Sequence, residues 1–107
     1  MCIRDSIEVV QLTGKDPYRA DDESRIVKVT LEAAEQVYGM KPSVFRSAAG
    51  TTAMGTFCGP TGIPAVSFGA GNAESNAHAP NENVYVEDFI QCIKMTATVM
   101  YLFGQGA

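Results

Sequence analysis

The sequence predicts an α/β fold: part of a mixed, largely parallel sheet with helices packed on it. Three observations carry this. The elements alternate along the chain as strand, helix, strand, turn, strand, loop, helix. The run "IPAVSFGAG" (63–71) is short, apolar and bounded by Gly and Pro, as in a strand buried on both faces. Two segments carry apolar residues at helical spacing. Three short strands and two helices leave sheet edges open, so the chain reads as a portion of a larger sheet.

"IEVVQL" (7–12) is β-rich and reads as a strand, closed by Gly14 and Asp16-Pro17. Residues 15–23, "KDPYRADDE", form a polar connector. Asp22 or Ser24 is placed to cap the next helix, with acidic residues at its positive N-terminal end. Val27, Leu31, Ala34 and Tyr38 give that helix an apolar stripe, and Gly39 stops it. A short strand over Val44–Ser47 leads into small residues and a helical turn ending before Gly59-Pro60. After the 63–71 strand and a polar loop, the last helix spans about Val86–Phe103. Val86, Phe89, Ile90, Ile93, Ala97 and Met100 lie on one face, and Glu87 and Asp88 in the first turn.

A chain of 107 residues, 46% hydrophobic and 19% charged, suits one small globular core. The net charge of −4 and eight Lys and Arg without a basic run argue against a nucleic-acid face. Cys2, Cys58 and Cys92 are odd in number and widely spaced, which is neither a disulfide framework nor a zinc motif. Reduced thiols in the cytoplasm are the expectation. No charged start followed by an apolar run reads as a signal peptide. The apolar segment 84–103 is broken by Glu87, Asp88, Gln91, Lys94, Thr96 and Thr98, so it reads as a buried helix and not a membrane span. The opening "MCIRDS" (1–6) resembles an in-frame translation of a transposon adapter used in sequencing libraries. It is expected to be a non-native start, with the natural chain continuing upstream.

Ligands of open α/β sheets sit beyond the carboxyl ends of the strands. Two loops lie there, 47–55 and 70–83, both rich in Gly, Ala, Ser, Thr and Asn, which leave room for a ligand and also serve ordinary turns. The second holds the chain's single histidine, His78, in "SNAHAPNENVYVEDF". It is either a solvated loop histidine or a metal ligand or catalytic group. His78 and Glu82 are four apart, but Pro80 between them disfavours a helix, which sets aside a helical two-ligand zinc site. One imidazole does not hold zinc; a catalytic site needs three protein ligands and an open position.

"GTTAMGTFCGPTGIPAVSFGAG" followed by "AHAPNENVYVEDFIQCIKMTATVMYLF" resembles the C-terminal part of the dizinc metallopeptidases related to carnosine dipeptidase, acetylornithine deacetylase and succinyl-diaminopimelate desuccinylase. The similarity runs from about Tyr18 to Phe103. It implies that residues 18–107 belong to the C-terminal portion of a zinc-exopeptidase catalytic domain, and that residues 7–17 are the end of an inserted lid or dimerisation domain and its linker. It implies two zinc ions, with cobalt or manganese as alternatives, sharing a bridging Asp. The last ligand in chain order maps onto His78. The other ligands and a general-base Glu lie in an N-terminal half, so no catalytic residue is expected in this stretch.

The resemblance further implies that Arg46 grips the substrate carboxylate, for which a planar guanidinium fork is suited. Gly50 and Thr51 offer donors to the same group. The alternative for Arg46 is a structural ion pair. Asn81 and Glu82 are expected to fix the loop beside the metal and not to ligate it. Ala49 stands where the family's first glycine is usual, and Thr52-Ala53 where Gly-Pro or Ile-Pro is common, which leaves the substrate open. The expected activity is hydrolysis of an amide bond in a dipeptide or N-acyl amino acid. The alternatives are a deacylase of the same family, a non-catalytic binding relative, or a severed half-domain inactive alone. The expected partner is a second copy through the lid, with no nucleic acid and no membrane.

Overall fold

The structure, a computed structural model, describes residues 7–48 and 50–106. The adapter-like start at 1–6 lies outside the described residues, as do Cys2 and Ala49. Among the described residues there are three helices: α1 (Arg25–Tyr38), α2 (Met54–Thr61) and α3 (Val86–Gln105). No helix is long and apolar enough to cross a membrane among the described residues. Cys58 and Cys92 are free thiols.

α1 ends as the sequence requires. Gly39 takes the left-handed conformation (φ 69°) and donates its N–H to the Glu35 carbonyl at 3.0 Å. Its start matches expectation in position but not in bonding. Ser24 is the N-cap residue, but its hydroxyl makes no capping bond and is buried without a partner. Asp22 faces two arginines instead of the helix. The acidic residues at 21–23 precede the first turn, where Glu23 accepts from Lys28 Nζ at 2.6 Å.

α3 supplies the other half of the core. Val29, Ala33 and Ala34 of α1 meet Met95 and Val99 of α3, with Ile26 and Leu102 half-buried at the edge. The two alanines let the helix axes approach, and Met95, 2% exposed, fills the gap. Arg25 closes the far end, its guanidinium 4.4 Å from the Phe103 ring centroid and donating to the Phe103 carbonyl at the negative end of α3.

The expected α1 stripe holds in part: Ala34 is buried and Val27 and Leu31 are half-buried, but the core also takes Val29 and Ala33, and the expected Tyr38 is exposed. On α3 the face expected to pack is the outer one: Val86, Phe89, Ile90, Ile93 and Met100 are all exposed. At 100° per residue these positions lie opposite Met95, Val99 and Leu102. α3 is apolar on both sides, and α1 covers only one. A helix apolar all round belongs between two layers.

α2 runs further than the expected stop before Gly59-Pro60 and contains Pro60. A residue before proline is driven from helical geometry by contact between its Cβ and the proline ring, and Gly59 has no Cβ. The turn past the proline is then closed by Gly62 N–H to the Cys58 carbonyl (2.9 Å) and by the Thr61 hydroxyl to the Phe57 carbonyl (2.6 Å). The connector packs on α2 at Gly55, where a Cβ would stand 2.7 Å from the Asp16 carbonyl oxygen. Tyr18, beside it, accepts a hydrogen bond from Ala65 N–H (3.1 Å) and so ties the connector to the 63–71 segment. Gly55→Ala must push the Asp16 backbone away and is expected to destabilise the whole protein by about 1–3 kcal/mol. Gly104→Ala, where a Cβ meets nothing within 4 Å, is expected to be neutral or stabilising by up to about 1 kcal/mol. Denaturant unfolding of the two variants side by side checks this.

The segments expected as strands, 7–12, 44–47 and 63–71, carry no regular secondary structure, and no ladder is formed among the described residues. A strand exists only with a pairing partner, and these segments offer their apolar side chains to solvent: Val9 is 87% and Leu12 90% exposed. The accessible surface is 9067 Å², whereas a compact monomer of 11.4 kDa has about 5,800 Å². The radius of gyration is 18.6 Å against about 13 Å for a compact chain of this length.

Candidate metal-ligand loop

The loop between residues 71 and 84 is built from its own polar atoms. Ser75, buried to 6% exposure, is its hub: its hydroxyl accepts Asn72 N–H (2.9 Å), its N–H donates to the Asn72 carbonyl (3.2 Å), and its carbonyl accepts Asn83 N–H (3.0 Å). Entry and exit of the loop therefore meet at one residue, as in an Ω-loop. The Asn83 side chain amide adds donations to the Glu74 (3.3 Å) and Asn81 (2.9 Å) carbonyls. Tyr85, the N-cap residue of α3, donates its hydroxyl to Glu74 Oε2 at 2.8 Å, which ties the neck to the helix start. That bond holds the Tyr85 phenol above its ordinary value.

His78 stands at the tip of this loop, with turns and no helix around it, as the Pro80 argument requires. Its backbone is left-handed (φ 61°), as are Asn76 (51°) and Asn81 (61°). Three such non-glycine residues within six positions are uncommon, and each costs about 1–3 kcal/mol unless its surroundings enforce it. The Ser75–Asn83 neck and the Ala79 N–H to Asn76 carbonyl bond (2.9 Å) are those surroundings. The imidazole is exposed and bonded to no other described residue.

A metal fits this loop as one donor and no more. A solvent-facing imidazole with no competing partner, on a backbone held from both sides, is a sound single ligand. Among the described residues no group of three His, Cys, Asp or Glu converges to hold a metal ion. Glu82 is exposed and makes no bond to His78, and Asn81 meets the loop through its carbonyl.

Arg46 takes the alternative arrangement. Its guanidinium lies 2.9 Å from Asp22 Oδ2, which Arg19 also approaches at 3.6 Å. The pair is exposed, 65% on Arg46 and 43% on Asp22, so it contributes about 0–1 kcal/mol and leaves the guanidinium open to exchange for another carboxylate. Gly50 and Thr51 are exposed, and a Cβ on Gly50 would meet nothing within 4 Å. Two open depressions flank Tyr38, of about 360 Å³ and 220 Å³, the smaller lined by Gly69, Ala70, Gly71 and Asp88. Neither includes His78 or Arg46. Partial desolvation of the Tyr38 phenol, with Cys92 and Asp88 nearby, pushes it up although the residue is exposed. Asp22, Ser75 and Asn83 are the residues sequence reasoning missed. The last two are Ser and Asn in a turn, the types that bond to nearby backbone.

The family model described as peptidase family M20/M25/M40 matches residues 5–102. The chain belongs to that family. The uncharacterized protein YgeY of Escherichia coli K12 is 30% identical over 82 residues, 77% of this chain and 20% of YgeY. The same values hold for YgeY of Escherichia coli O157:H7. Among solved structures, Sso-CP2, an M20 family metallo-carboxypeptidase from Sulfolobus solfataricus, superposes with a TM-score of 0.77 at 41% identity, over 83% of this chain and 21% of that chain. The chain thus spans about a fifth of the length of the relatives it matches. The subfamily named by the sequence resemblance is narrower than this family match.

Proposed function

We propose that the whole protein is a metal-dependent, zinc-using hydrolase of an amide bond in a dipeptide or N-acyl amino acid, and that this stretch supplies one metal ligand, His78. The observation that carries the reading is the His78 loop: an unpartnered imidazole, held left-handed by a closed neck, in a chain of the M20 family. The likeness to a metallo-carboxypeptidase supports a peptide substrate with a free carboxylate. That favours the peptidase over the deacylase reading.

Bound zinc would supply Lewis-acid polarisation of the scissile carbonyl and lower the pKa of the attacking water to about 7. His78 would hold that ion through one ring nitrogen. Arg46 exchanges Asp22 for the substrate carboxylate and orients it, with Gly50 and Thr51 adding donors. Asn81 and Glu82 keep the loop in place. The remaining ligands and the base come from the part of the protein outside this stretch.

The same reading accounts for the uncovered surface. Segments 7–12, 44–47 and 63–71 pair within a mixed, largely parallel sheet completed by the rest of the protein, and the outer face of α3 packs on it. A second copy associates through the lid domain.

Hydrolysis of dipeptides and N-acyl amino acids by the whole protein tests this proposal. Turnover is expected to vanish with a chelator and return with zinc, and residues 1–107 alone are expected to be inert. Chelator-insensitive turnover, or hydrolysis by the stretch alone, contradicts it.

A further inference from the structure

Asn83 lies five residues past the histidine and outside the chemistry proposed above. It is nevertheless the most heavily committed side chain of the loop. Its backbone N–H reaches the Ser75 carbonyl (3.0 Å), and its amide nitrogen reaches the carbonyls of Glu74 (3.3 Å) and Asn81 (2.9 Å). One residue thus ties the entry of the loop, its exit and the left-handed Asn81 together. We infer that Asn83 is a positioning residue for His78: its three donated hydrogen bonds hold the left-handed turns at 76, 78 and 81 and so present the imidazole in a fixed direction.

The physical case is one of compensation. Left-handed backbone at three non-glycine residues relaxes unless it is enforced. The Ser75 hydroxyl accepts Asn72 N–H and donates to no described carbonyl, and Tyr85 bonds the Glu74 carboxylate and not the backbone. Only Asn83 spans from the exit to the two carbonyls on either side of the tip. Without its amide the Asn81 and Glu74 carbonyls turn to water, and the tip gains freedom. A ligand that must be ordered at the moment of binding binds more weakly than one already in place.

This inference rests on His78 being a metal ligand, so the experiment includes His78→Ala. In the whole protein, zinc is titrated into the metal-free form of wild type, Asn83→Ala, Asn83→Asp and His78→Ala, in competition with a chromophoric chelator. Amide exchange of the metal-free forms is followed over residues 72–83. Both Asn83 variants are expected to weaken zinc at one position by about 10- to 100-fold. Exchange is expected to speed up at Ala79 and its neighbours, with α1 and α3 unchanged. Asn83→Asp has the same shape but no side-chain donor, so it is not expected to rescue; a role in packing alone would let it do so.

Wild-type zinc affinity in either Asn83 variant, beside a lost site in His78→Ala, overturns the positioning role and leaves the ligand reading standing. Unchanged affinity in His78→Ala overturns the ligand reading and the inference with it. Faster exchange throughout α1 and α3 in both Asn83 variants overturns the local role in favour of a general structural one.

Discussion

His78→Ala in the whole protein is expected to leave one of two metal positions depleted and turnover nearly abolished, while the fold survives. The reasoning starts from placement. The imidazole is exposed and bonds no described residue, so removing it takes away little buried surface. A surface change of this kind costs about 1 kcal/mol or less, apart from whatever stabilisation bound metal had supplied. Alanine still carries a Cβ at φ 61°, so it inherits the backbone strain. His78→Gly removes that strain as well, and is expected to be at least as stable as His78→Ala. Metal content by mass spectrometry, read beside activity and melting temperature, separates the outcomes. Full metal occupancy with wild-type turnover returns His78 to an ordinary loop histidine.

Arg46→Ala is expected to lower kcat/KM for substrates with a free C-terminal carboxylate by about 10- to 150-fold. Losing a charge-assisted hydrogen bond costs about 1.5–3 kcal/mol, and each 1.4 kcal/mol is about tenfold. C-terminally amidated substrates lack that carboxylate already and should lose little. The competing role is visible in the structure, where Arg46 pairs with Asp22. An exposed pair of that kind is worth about 0–1 kcal/mol, so breaking it should barely move the melting temperature. Equal losses on acid and amide substrates, with Asp22→Asn reproducing them, would assign Arg46 to the ion pair alone.

The helices were legible in the sequence because their signals are local. Gly39 needs only its own missing Cβ to end α1, and Glu87 and Asp88 mark the start of α3 through the helix dipole. Which face of α3 packs was not legible, because both sides are apolar: Phe89, Ile90 and Ile93 form as good a stripe as Met95, Val99 and Leu102. Choosing between them requires knowing the partner. The segments at 7–12 and 63–71 have strand composition, but pairing is not written in a strand's own residues, and no partner ladder lies among the described ones. Gly59-Pro60 has the composition of a stop, but Gly59 has no Cβ to clash with the proline ring, so α2 continues through it. At the candidate site, residue type and resemblance single out His78. The neck that holds it, Ser75 with Asn83, rests on carbonyl and amide geometry, which a sequence does not display. Asp22 as the partner of Arg46 is likewise a contact across 24 positions of chain, beyond any local pattern.

The most direct measurement is anomalous diffraction at the zinc edge from crystals of the whole protein. The account predicts an anomalous peak about 2.0–2.1 Å from a ring nitrogen of His78, the ordinary zinc–imidazole distance, with the loop still closed at Ser75 and Asn83. A fully occupied metal centre coordinated entirely by other residues, with the His78 imidazole turned to solvent, would contradict it.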